Sequence, residues 1–156
     1  MSSELNAQAE KPLLPVNHLL QIPECGEPFL QGLKCSHCGH IATDQRIVCP
    51  ACFARNTLMP TPLSSLGKVL AFTVVRRSFP GLPVPFVSAV IHMKNGGDIK
   101  VNLENIDVDH QALQVGLEVE LIFKQAPWGD EHGNEYMIYA AQPVDQALHT
   151  VKEDAS

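Results

Sequence analysis

With 156 residues, 45% hydrophobic and 18% charged, the chain has room for one ordinary domain, or for a small clipped module beside a modest second one. Its net charge of −6 is spread out, with −2 over residues 1–34, +1 over 35–60, −3 over 61–143 and −2 over 144–156. The cluster of Lys and Arg that a sequence-independent nucleic-acid binder uses to displace counterions is therefore missing, and no apolar run approaches the roughly 18 residues of a membrane span.

The opening "MSSELNAQAEKPLLPVNHLL" lacks the basic n-region, continuous apolar core and small-residue cleavage site of a secretory signal. The expectation is a soluble cytoplasmic protein with reduced thiols. Residues 1–16 are polar, carry Pro12 and Pro15, and read as a flexible arm. Residues 17–34 gain apolar side chains but are interrupted by Pro23, Gly26 and Pro28, which allows short helical turns at best. This stretch is expected to dock on the rest of the chain or on a partner. Residues 35–60 hold four cysteines, and the Pro-, Ser- and Thr-rich "NTLMPTPLSSLG" reads as the way out of them.

Residues 61–143 turn to a strand pattern. "KVLAFTVVRR" (68–77) and "VPFVSAVIHMK" (84–94) are rich in Val, Ile and Phe, and "SFPGLPVP" lies between them as a loop. "NGG" (95–97) suits a tight hairpin into "DIKVNL". In "ENIDVDHQALQVG", Asp107 or Asp109 can cap a short helix and Gly116 can end it. "LEVELIFK" (117–124) alternates as a half-buried strand does, "QAPWGDEHGN" reads as a loop, and "EYMIYAAQP" as the last strand. Strand, strand, strand, short helix, strand, strand is the order of the five-stranded OB-fold barrel. Residues 144–156 read as a flexible charged tail.

"CSHCGHIATDQRIVCPAC" (35–52) sets two C-x-x-C pairs ten residues apart. Four thiolates in this arrangement suit a closed tetrahedral zinc site, with Cys35, Cys38, Cys49 and Cys52 as ligands of one structural ion and no position open for water or substrate. An iron site of rubredoxin type and a dithiol redox motif are the competing readings. The gap is short for the first, and the βαβ setting of the second is missing. His37 and His40 read as solvated side chains rather than ligands. Gly39, directly after Cys38, suits the first knuckle turn. Phe53 stands where a matching glycine is expected, so the second knuckle is expected to be less regular.

The sequence carries no G-x-S-x-G elbow, phosphate loop, dinucleotide fingerprint or H-E-x-x-H. Cys25 lies between Glu24 and Glu27, which disfavour a thiolate. Asp130, Glu131 and His132 lie in a Gly- and Asn-flanked stretch that reads as a solvated hairpin loop. The candidates for ligand or partner contact are Arg76 and Arg77, the apolar ledge of Phe79, Leu82 and Pro83 beside them, and Trp128, whose ring can serve as a lid on the barrel or an exposed anchor.

The ordered series "GLKCSHCG", "CPACF", "GKVLAFTVV", "PFVSAVIHM", "IDVDHQALQVGLEVELIF" and "YMIYAAQP" resembles the zinc-ribbon/OB-fold accessory proteins associated with acyl-CoA metabolism. One member type of that family is the small subunit of benzylsuccinyl-CoA thiolase. The resemblance implies a mainly β protein, a rubredoxin-like zinc ribbon followed by an OB-fold barrel with one short helix. It also implies a non-catalytic subunit whose partner, a thiolase or thiolase-like enzyme, carries the chemistry. An enoyl-CoA hydratase, a thiolase-like lyase or an acyltransferase is the alternative partner, and a nucleic-acid-binding OB module the alternative function. Acyl-CoA itself is a further possible contact.

Overall fold

The computed structural model describes residues 12–144. The expected tail beyond Val144, and the expected arm up to residue 11, lie outside the described residues.

Five strands close into a barrel: β6 (Leu66–Val75), β7 (Phe86–Met93), β8 (Asp98–Leu103), β9 (Glu118–Gly129) and β10 (Glu135–Pro143). The hydrogen-bonded order is β10-β8-β7-β6-β9, and β9 returns to pair with β10. With the strands counted from β6 this is the 1-2-3-5-4-1 closure of an OB-fold, so the expected barrel is present. Alternation in the sequence gives the barrel its inside and outside. In "DIKVNL", Ile99, Val101 and Leu103 are buried while Asp98, Lys100 and Asn102 face outward. Val69, Val87, Ile91 and Val119 meet them in one core.

The expected short helix is absent. Residues 107–116 instead form successive single turns, with the N–H of His110 bonded to the carbonyl of Asp107 and that of Leu113 to His110. The His110 ring nitrogen Nδ1 accepts the N–H of Ala112 at 3.0 Å, which diverts a backbone donor from a helical ladder. Ala112, midway along these turns, and Leu117, directly after them, are buried, so the segment is held to the barrel before it could lengthen to a stable helix.

The N-terminal half is also built of strands. β2 (Leu20–Gln21) pairs with β3 (Phe29–Cys35), which pairs with β4 (Ile41–Ala42) and with β5 (Leu58–Pro62). Short helical turns were the expectation for residues 17–34. The prolines there exclude a helix, and the β2–β3 connection accommodates them between strands. Leu14–Pro15, in the stretch read as an arm, forms strand β1, parallel to β10 at Tyr136 and Met137.

The two halves share one core, since Leu20, Leu30, Ile41 and Leu63 belong to the same buried cluster as the barrel interior. The seam runs over the β7–β8 hairpin. Thr43 donates its hydroxyl to the Asp98 carbonyl at 2.7 Å. Ile41 lies over Gly96 and Gly97, where added Cβ atoms would stand 3.0 and 3.1 Å from its side chain. The absence of side chains at that turn is what lets the ribbon sit down on the barrel.

Candidate metal centre and exposed loops

β3 delivers Cys35 at its end, and the turn after it brings back Cys38. The Val48–Arg55 bridge closes a second small hairpin that carries Cys49 and Cys52. All four sulfurs lie within 4.8 Å of one another. Cys38 and Cys49 stand 3.6 Å apart and Cys35 and Cys52 3.7 Å apart, far beyond a disulfide bond. A tetrahedral ion with metal–sulfur bonds of about 2.3 Å needs sulfurs about 3.8 Å apart, so the cluster has the dimensions to hold one metal ion. Cys35 and Cys49 are buried, Cys52 is half-buried and Cys38 is exposed. His37 and His40 are exposed side chains of the first knuckle.

The two knuckles have the same backbone design. Gly39 donates its N–H to the Cys35 carbonyl and Phe53 donates its own to the Cys49 carbonyl, each at 2.9 Å. Both residues have positive φ, 82° for Gly39 and 64° for Phe53. The expected irregularity of the second knuckle is therefore not found, because the phenylalanine accepts the strained conformation instead.

The thiols differ in their ease of ionisation. The Thr57 hydroxyl, 3.2 Å from the Cys35 sulfur, together with nearby backbone N–H groups, brings that thiol down to about 5 against the opposing effect of burial. Backbone N–H groups, that of Cys52 first, also lower Cys49. Cys52 has the N–H of Ala54 in favour of its thiolate, yet burial and the sulfurs of Cys38, Cys35 and Cys49 push it up to about 12. Cys38 is raised as well, with the backbone bond at His40 outweighed by burial and by Cys49 and Cys35. Four anionic sulfurs repel one another strongly at this spacing, and a divalent cation at their centre removes that repulsion. Thr57 escapes a motif search, since its only signal is a hydroxyl on the residue just before β5, the strand that returns beside Cys35.

The remaining candidates fall at separate places. Arg76, Arg77, Phe79, Leu82 and Pro83 share the exposed β6–β7 connection. Phe79 is 81% exposed, and Arg76 approaches Asp109 at 3.6 Å. Trp128 stands on β9, half exposed, with its ring tilted on that of Tyr136 at a centroid distance of 5.4 Å. The expected loop 125–134 shortens to residues 130–134, because Asp130 organises a tight turn. Its carboxylate accepts the N–H groups of His132 and Asn134, the Asn134 amide and the Tyr136 hydroxyl. These bonds, those from Asn134 foremost, lower Asp130 to about 2. Cys25 is exposed.

Fold and cysteine cluster together define a four-cysteine ribbon joined to an OB-fold barrel. Residues 61–124 match the family described as the C-terminal OB-fold domain of ChsH2. A DUF35 domain-containing scaffold protein of Pyrococcus furiosus is 30% identical over 117 residues, covering 74% of this chain and 83% of the relative. The chain belongs to that DUF35 scaffold family. The benzoylsuccinyl-CoA thiolase subunit BbsA of Geobacter metallireducens is 28% identical over 104 residues, 66% of this chain and 69% of the relative. Among solved structures, the chain in the Ltp2-ChsH2(DUF35) aldolase has the same fold, with a TM-score of 0.59 at 20% identity over 74% of this chain and 84% of that one.

Proposed function

We propose that this chain is a non-catalytic accessory subunit of an acyl-CoA-processing complex, paired with a thiolase or thiolase-like enzyme that it stabilises and whose acyl-CoA entrance it helps shape. The observation that carries the reading is the similarity to a benzoylsuccinyl-CoA thiolase subunit over two thirds of both chains. Membership of a scaffold family supports it. So does the form of the cysteine cluster, in which every ligand position is filled by the chain's own sulfur.

One zinc ion held by Cys35, Cys38, Cys49 and Cys52 would serve as a cross-link. It ties the β3–β4 turn to the second knuckle hairpin and, through the seam at Ile41, holds the ribbon against the barrel. In this reading the contacts to the partner or to acyl-CoA come from the β6–β7 connection, with Arg77 and Arg76 for phosphate and Phe79, Leu82 and Pro83 as an apolar ledge, and from Trp128.

The test is affinity purification of the tagged chain from its native host, with mass spectrometry of what accompanies it. A thiolase-type subunit at fixed stoichiometry is expected. A chain that elutes alone, or with no enzyme of acyl-CoA chemistry, refutes the proposal.

A further inference from the structure

The two knuckles of the ribbon supply an internal comparison. At equivalent positions, four residues after Cys35 and four after Cys49, they make the same backbone bond in the same left-handed conformation. The first knuckle fills that position with Gly39, which adopts it without strain. The second fills it with Phe53, a bulky residue for which positive φ is an outlier. The turn itself does not require an aromatic ring, since the first knuckle closes without one. Nor does the core require it, because Phe53 is 75% exposed. A large apolar side chain that adds backbone strain and buries little surface costs stability in the isolated chain. It gains a use only if something else covers it.

The surroundings fit a protein surface. Ile47, on the other arm of the same small hairpin, is 71% exposed. The lone carboxylate between residues 35 and 60, Asp44, is paired with Arg46 at 2.6 Å. Arg55, two residues beyond Phe53, is exposed, in the one segment of this acidic chain with a positive formal charge. Two exposed apolar side chains and an exposed cation are thus carried by one small hairpin, which the Val48–Arg55 bridge closes and which holds two of the four clustered cysteines. A hairpin tied in this way loses little conformational freedom on binding, and the three side chains have the composition of an interface hot spot.

We propose that Phe53 is the ribbon's anchor residue for the partner enzyme subunit, inserting with Ile47 into an apolar socket whose rim carries carboxylates facing Arg55. This rests on the accessory-subunit reading above, and it locates a docking point on the ribbon, apart from the β6–β7 connection and Trp128.

The experiment uses the full, metal-loaded chain and the separately produced thiolase-type subunit that accompanies it from the native host, with affinity measured by calorimetry. Phe53→Gly recreates the first knuckle's relaxed turn. It is expected to keep its metal and melt at or above the wild-type temperature while binding the enzyme about tenfold more weakly or worse. Phe53→Tyr is expected to bind within about threefold of wild type, and Arg55→Glu to weaken binding most at low salt. Unchanged affinity in Phe53→Gly overturns the inference and leaves the accessory-subunit reading standing. Loss of metal or a lower melting temperature in Phe53→Gly also overturns it, by making the ring a structural element. A wild-type chain that binds no such subunit overturns both.

Discussion

Ile41 is the side chain on which the ribbon and the barrel depend for their fixed relation, and its truncation tests whether the two behave as one unit. It is 8% exposed and belongs to the common core. Three glycines surround it, because added Cβ atoms at Gly32, Gly96 and Gly97 would all come within 3.0–3.1 Å of its side chain. Ile41→Ala removes three buried carbons, worth about 2.4 kcal/mol at about 0.8 kcal/mol each. The glycines have no side chains to swing into the space, so part of the cavity cost must be added, which brings the loss to about 3 kcal/mol. In a chain of this length that corresponds to about 6–12 °C in melting temperature. The assay is urea unfolding followed by two signals, Trp128 fluorescence for the barrel and release of metal to a chromogenic chelator for the ribbon. In the wild type the two transitions should coincide. In Ile41→Ala metal release should move to lower urea, ahead of the barrel. A loss under about 1 kcal/mol, with the two signals still coincident, would refute the claim that this contact couples the modules.

The cysteine cluster is expected to bind about one zinc ion per chain, and Cys49→Ser to lose it together with order in residues 35–52, as read by metal analysis and amide hydrogen exchange. Because Cys52 lies at about 12 and Cys38 is also raised in the metal-free cluster, both hold protons at neutral pH. Metal binding at pH 7 should therefore release at least the two protons of Cys52 and Cys38, measurable by calorimetry in buffers of different ionisation enthalpy, and affinity should rise with pH. A binding reaction that releases none would contradict the assignment. The Asp130 turn should be pH-sensitive at the acid end. Its carboxyl is lowered to about 2 from an ordinary value of 3.8, so its stabilisation is complete above about pH 4 and disappears as pH falls through about 2. Trp128 and Tyr136 resonances should shift over that range in the wild type and lose this transition in Asp130→Asn.

"DIKVNL" was legible with the boundaries it has in the structure, since its alternate residues have nowhere to go but the core, and "EYMIYAAQP", which does not alternate, was legible from its apolar and aromatic run after a Gly- and Asn-bearing stretch. The cysteine ligands were legible from spacing alone. The helix expected over 107–116 was misread because Asp107 and Gly116 look like caps, whereas the competing bond from Ala112 to the His110 ring has no linear signature. β9 ran five residues further than expected, to Gly129, because the four bonds converging on Asp130 make the connection after it short. The strands at Leu20 and Leu30 were hidden for a different reason. They pair with each other across the short connection that holds Pro23 and Pro28, and local propensity, dominated by those prolines, hides a pairing that the burial of Leu20 and Leu30 in the common core holds in place. Phe53 drew notice in the sequence as a missing glycine, but only the φ angle and the exposed ring give that departure a physical meaning.

The central claim is that the chain assists a thiolase-type enzyme and does not turn over substrate by itself. The most direct measurement is thiolytic activity and heat inactivation of the partner enzyme alone, of this chain alone, and of the two together. The isolated chain is expected to turn over no acyl-CoA thioester, and the enzyme to gain both activity and lifetime when the metal-loaded chain is added at equal stoichiometry. Turnover by the isolated chain, or an enzyme indifferent to its presence, would contradict the claim.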